Sequence, residues 1–199
     1  MGLVQTVAPT LEPVLIAQTK LWCRIDESDD DQVVEDLIKR ARAYIETWTN
    51  RQLLTATWRL TLDRFPRADD VEESTIWLPK PPLQSVSSIQ YVDAAGDTQT
   101  LDAANYRVDA DDEPARITPA YGLSWPTARQ VTKAVTVIFI AGHASRDLIP
   151  QPAIGAMQML LAHWFENRAA LGTMTKELEL GVKDLLFSIW HGGDFLEAC

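Results

Sequence analysis

The sequence predicts an α+β protein: a helical bundle with two N-terminal and two C-terminal helices and an inserted block of short antiparallel strands. Three observations carry this. Apolar residues recur at helical spacing over residues 31–49 and again over 150–190. Between about 56 and 141 the period falls to two. The two patterns are segregated and do not alternate, which argues against a doubly wound sheet. One domain, 1–199, is expected, with helices at about 13–49 and 150–190, a β-rich insertion at about 56–141 and a flexible tail at 191–199.

The first helix candidate covers residues 13–25, where Leu15, Thr19 and Trp22 recur at helical spacing and Pro13 suits a first turn. Five acids in six residues follow, Asp26 to Asp31. A calcium loop needs a longer alternating pattern with a central Gly and a distal Glu, and neither follows. The run reads instead as a loop and helix N-terminus, where carboxylates cap and complement the dipole. The helix it opens is the clearest in the chain. Val34, Leu37, Ile38, Ala41, Ile45 and Trp48 form its stripe, and Asn50 ends it.

From Ala56, Trp58, Leu60 and Leu62 alternate with polar residues as in a half-buried strand. Thr75–Leu78 is a second strand, closed by Pro79-Lys80-Pro81-Pro82, which predicts a stiff, extended link. Val86–Val92 and Thr98–Leu101 make a hairpin with Gly96 at the position needing positive φ. Tyr106–Val108 and Ala115–Thr118 lie on either side of an acidic turn, Asp109–Glu113. Val135–Ile140 is apolar at nearly every residue and predicts a central strand buried on both faces. Helices return from Pro150 to near Arg168 and from Lys176 to Trp190, joined by a loop around Leu171-Gly172-Thr173.

Composition narrows the function. The chain has 18 Lys and Arg against 28 Asp and Glu, a net charge of −10. Gripping phosphates needs a basic patch, and none is legible. Two cysteines, Cys23 and Cys199, give neither a disulfide framework nor a thiolate zinc site. No signal peptide, long apolar run or glycosylation sequon is visible, so assembly in a reducing cytoplasm and no membrane are expected. There is no Gly-x-Ser-x-Gly elbow or phosphate loop, and the nine glycines are scattered. His163 and Glu166 share a helix face but lack further metal ligands, and His143 has no evident catalytic partner. No catalytic residue, cofactor or metal is therefore assigned. The acidic clusters at Asp69-Asp70-x-Glu72-Glu73 and Asp109–Glu113 read as solvated turns, or as surfaces facing a DNA conduit. Seven tryptophans suit an assembly surface as well as a core.

The order of short motifs then becomes informative. Glu12-Pro13-Val14 and Lys20-Leu21-Trp22-Cys23-Arg24-Ile25-Asp26 come first, followed by Ala41 to Glu46 and Thr49 to Leu53. Next are Trp58 to Pro66 and Leu78-Pro79-Lys80-Pro81-Pro82-Leu83 through Ile89. Tyr106-Arg107-Val108, Gly122-Leu123-Ser124-Trp125-Pro126 and His163 to Arg168 complete the set. In this order, over about residues 12–190, the chain resembles the head–tail connector (adaptor) family of long-tailed double-stranded DNA phages, prophages and gene transfer agents. The sequence departs from that pattern at Gly181, where a proline is more usual, and in the tail from His191.

The resemblance implies a structural virion protein and no enzyme. It implies a ring, typically of twelve, that docks on the portal, offers a platform to the stopper or tail, and extends a channel through which DNA passes without being gripped. Partners are then the portal protein, neighbouring copies and a stopper or tail protein. Residues suited by type to those contacts are Trp77, Trp125 and Trp190, with Phe195 and Leu196 in the tail. The alternatives are a stopper or tail-completion protein of the same particle, or a small cytosolic enzyme or ligand-binding domain.

Overall fold

The change of period at Ala56 coincides with a change of structural unit. A computed structural model describes residues 1–66, 74–167 and 175–191. The described residues divide into two compact units, one from residues 1–8 and 55–142 and the other from residues 9–54 and 143–191. Along the sequence, the second unit is interrupted by the first.

The first unit is all β. Its five-stranded antiparallel sheet runs in the order β1 (Gly2–Val7), β2 (Ala56–Leu62), β8 (Val135–Ala141), β4 (Leu83–Val92), β5 (Thr98–Thr100). A second sheet has the order β3 (Ile76–Leu78), β7 (Ala115–Pro119), β6 (Tyr106–Asp109). Leu60, Ile89, Val137 and Phe139 share one buried cluster with Ile76, Leu78 and Ile117, so the two sheets close over a common core. β8 is central, as its apolar run predicts. It is not buried on both faces, however: Val135, Val137, Phe139 and Ala141 are buried, while Thr136, Ile138 and Ile140 are half-buried. Antiparallel pairing on both sides satisfies its backbone with only one face sealed.

Two further differences concern links and ends. The proline-rich segment bends at Lys80 (φ 68°) and does not run extended. Prolines on either side fix their own φ near −65°, which leaves Lys80 the residue that can turn. β1 has no counterpart in the sequence reading; it pairs with β2, Leu3 opposite Leu60. Gly96, at φ 103°, turns β4 into β5 as expected.

The second unit is helical: α1 (Ile16–Cys23), α2 (Asp31–Trp48), α3 (Gln151–Glu166) and α4 (Lys176–Phe187). Helices from both ends of the chain share one core. Val34, Leu37, Ile38, Ala41 and Ile45 of α2 meet Ala153, Ala156, Met157, Leu160 and Trp164 of α3 and Val182 and Leu186 of α4. The predicted stripe of α2 is therefore its buried face. Asn50 takes the left-handed conformation (φ 55°) just past that helix, as its residue type favours. The ends of α2 and α4 are tied: Arg51 Nε donates to the Ile189 carbonyl at 2.6 Å, and the His191 amide to the Thr49 carbonyl at 3.1 Å. Among the described residues, no helix is long and apolar enough to cross a membrane.

Candidate assembly surfaces

α1 packs on the helical core through partly buried Ile16 and Cys23, but several of its apolar side chains point away from it. Of the residues that mark it by spacing, only Thr19 is buried, and its Oγ1 donates back to the Leu15 carbonyl at 3.1 Å. Leu15 (44% exposed), Leu21 (83%) and Trp22 (55%) face solvent. An ion pair adds to that packing. Lys20 Nζ pairs with Asp31 of α2 at 2.6 Å, which uses the last acid of the 26–31 run. Arg24, in the left-handed conformation (φ 56°), ends the helix. Between α1 and α3 lies a groove of about 600 Å³, its walls including Val14, Leu21, Trp22, Ile154 and Leu161.

A second exposed apolar surface follows the outer side of α4. Leu180 (56% exposed) and Phe187 (71%) are seven residues apart and so lie on one face. The Phe187 ring stacks on Trp190, 6.2 Å between centroids and 16° between planes. Against α3, α4 packs closely because Gly155 lies beside Leu185 and Gly181 beside Met159. The departure at Gly181 is thus a close helix contact: a Cβ there would stand 3.1 Å from Met159 Cε.

The residues chosen by type fall in different settings. Trp190 is exposed. Trp77 is half-buried on β3 between buried Ile76 and Leu78. Trp125 is half-buried and used within its own unit, stacked on Phe65. Phe195 and Leu196 lie outside the described residues, as do the Asp69–Glu73 cluster and the Leu171–Thr173 loop. Trp77 and Trp125 belong to the β unit and Trp190 to the helical unit. What sequence reasoning missed is the outward face of α1 and the Leu180–Phe187 stripe. Helical spacing gave both helices, but not which face lacks a partner.

Electrostatics follow local pairing. Arg116 reaches Asp109 at 2.9 Å and Asp112 at 3.0 Å, so one guanidinium pairs with two of the four acids of the turn, which keeps a net negative charge. The hydrogen bond from Arg116 holds the Asp109 carboxyl below the ordinary carboxylate value. Burial, with the nearby Glu166 carboxylate, pushes the Cys23 thiol up, the reverse of what a reactive thiolate requires. Among the described residues, no group of three His, Cys, Asp or Glu side chains gathers as a metal site would.

Residues 14–93 match the sequence profile of a family described as phage gp6-like head-tail connector protein. Solved structures resemble the chain over nearly its whole length. One is a chain from the virion of a native gene transfer agent (GTA) particle, with TM-score 0.77, 23% identity and 100% of both chains covered. Another comes from the neck of an empty GTA particle computed with C6 symmetry, at 0.73 and 25%, covering 97% of each chain. A third comes from the neck of a native GTA particle computed with C12 symmetry, at 0.71 and 24%, again covering 97% of each. No curated protein matches the chain.

Proposed function

From the match of residues 14–93 to the phage gp6-like head-tail connector family, we propose that the chain is a connector of this kind and forms a ring on the portal of a phage-like particle. In this role it joins capsid to tail and lengthens the DNA channel. The observation that carries the reading is the full-length likeness, at TM-score 0.77, to a chain of a GTA virion. The likeness to a neck chain computed with twelve-fold symmetry supports a ring of twelve. The net charge of −10 supports a channel wall that lets DNA slide, because a basic lining would hold it by counterion release. A closed ring needs a heterologous contact, in which one patch of each copy meets a different patch of the next. Trp77, Trp125, Trp190, Phe195 and Leu196 are proposed contacts to neighbours or portal. The work of such a protein is positional, so its surfaces matter and no bond need be made or broken.

The test is to mix the purified protein with its particle's portal and image the product by cryo-electron microscopy. A ring of density on the portal, fitted by the helical and β units, is expected. Protein found only with tail components would favour a stopper or tail-completion role. Binding to neither would overturn the connector reading.

A further inference from the structure

The helical unit carries two unlike apolar features with opposite charges set into them. The groove between α1 and α3 is lined by apolar and uncharged polar side chains and a single charged one, Arg24. Arg24 is exposed and has no ion pair among the described residues. On the outer stripe of α4, Asp184 stands between Leu180 and Phe187 at helical spacing, also exposed and without an ion pair among the described residues. One feature is concave, apolar and cationic; the other is a convex helix face, apolar and anionic.

The two do not compete for the same space. On α3, Ile154, Gln158 and Leu161 line the groove, whereas Gly155 and Met159 face α4. A one-residue offset is about 100° around a helix of 3.6 residues per turn. One copy can therefore offer its α4 and receive another at the same time. That is the condition for a head-to-tail contact that propagates and closes; a self-complementary patch would stop at a dimer.

Resting on the ring reading above, we propose that the subunit contact is a helix laid in a groove: α4 of one copy occupies the α1–α3 groove of the next. Leu180 and Phe187 cover Leu21 and Trp22, and Asp184 meets Arg24. Apolar anchors on one helix face seated in a hydrophobic groove are a recurring recognition mode. The charge pair fixes register and partner more than it adds affinity.

The test uses the full chain with its portal and four proteins: wild type, Arg24→Asp, Asp184→Arg and the double reversal. Each single reversal is expected to lower the yield of rings on the portal roughly tenfold or more, and the double to restore it to within about twofold. Near-UV circular dichroism checks that each variant is folded. Wild-type rings with undiminished single variants would overturn the proposal. So would a folded double variant that stays deficient, which would assign these faces to the portal or a tail protein. Absence of rings from wild type would instead overturn the connector reading on which the proposal rests. As a second measurement, Arg24→Cys and Asp184→Cys are combined in a chain carrying Cys23→Ser and Cys199→Ser. Oxidation on the portal is expected to give a ladder extending beyond dimer. Cross-linking that stops at dimer, or does not occur, counts against the contact.

Discussion

The rings of Phe65 and Trp125 lie face to face, 5.0 Å between centroids and 8° between planes. The Trp125 Nε1–H donates to the Ser74 carbonyl at 2.6 Å. A loop indole is thereby fixed to the core cluster that holds Phe65. Trp125→Ala is expected to destabilise the β unit by about 2–4 kcal/mol through lost stacking and burial. Trp125→Phe keeps the stack, loses the hydrogen bond, and should cost about 1 kcal/mol. Urea unfolding followed by near-UV circular dichroism measures both, and equal losses would show that the stack contributes little.

Arg42 is clamped between two helix-unit carboxylates. Its Nε donates to Glu12 at 2.8 Å and its NH1 to Glu46 at 3.1 Å, all three side chains being largely buried. Glu46 also accepts from Gln52 Nε2 at 2.6 Å and from the Leu53 amide at 3.1 Å, so one carboxylate ties the end of α2 to the segment beyond it. Removing Arg42 leaves two neighbouring carboxylates without their shared cation. Arg42→Ala should cost about 1.5–3 kcal/mol, the range for charged hydrogen bonds. A double-mutant cycle with Glu12→Ala should show coupling of about 0.5–3 kcal/mol. Coupling near zero would mean that solvent replaces the pair.

Much of this fold could be read locally. The α2 stripe is buried because Val34 to Ile45 repeat at the period of a helix, and the turn at Gly96 because positive φ is open to glycine. β1 was not readable, since Gly2–Val7 becomes a strand by pairing with β2, more than fifty residues away. Candidate contacts fared differently. Trp125 was chosen by residue type, yet its indole is engaged by Phe65 and Ser74, partners at long range with no local signature. Leu21, Trp22, Leu180 and Phe187 carry the helical signal of core residues while facing outward. Periodicity marks the apolar side of a helix; whether that side is covered depends on the packing of the other helices.

The α3–α4 crossing offers a stabilising change. Gly155 sits inside α3, and a Cβ built on it would stand 3.6 Å from Leu185 Cδ1, an ordinary contact. Gly155→Ala is expected to raise stability by about 0.5–1 kcal/mol through helix propensity alone. Gly155→Leu should instead wedge the helices apart and lower stability. At Gly181 the room is less, and the added methyl presses on the mobile end of Met159. The gain from Gly181→Ala should therefore be smaller than that from Gly155→Ala. Thermal unfolding of the three variants decides the order; a loss on Gly155→Ala would show the crossing is tighter than this contact indicates.

Asp93 gives the β unit an acid dependence of defined sign. Its carboxylate accepts from Gln99 Nε2 at 2.8 Å and from the amides of Gly96 and Asp97 at 3.0 Å each, closing the β4–β5 turn. These bonds favour the ionised form, the one from Gln99 most, and hold the carboxyl below its ordinary 3.8. A carboxyl depressed on folding contributes stability in full above its unfolded value, and that contribution is lost as pH falls through the folded value. The window therefore lies below about pH 4. Asp93→Asn can still accept the backbone bonds but cannot titrate, so its stability should depend less steeply on pH in that window. Asp109, depressed in the same direction by Arg116, remains in the variant and keeps part of the slope. Urea midpoints measured from neutral pH to about pH 3 test the difference, and parallel curves for wild type and Asp93→Asn would mean that this carboxylate is as free in the folded chain as in the unfolded one.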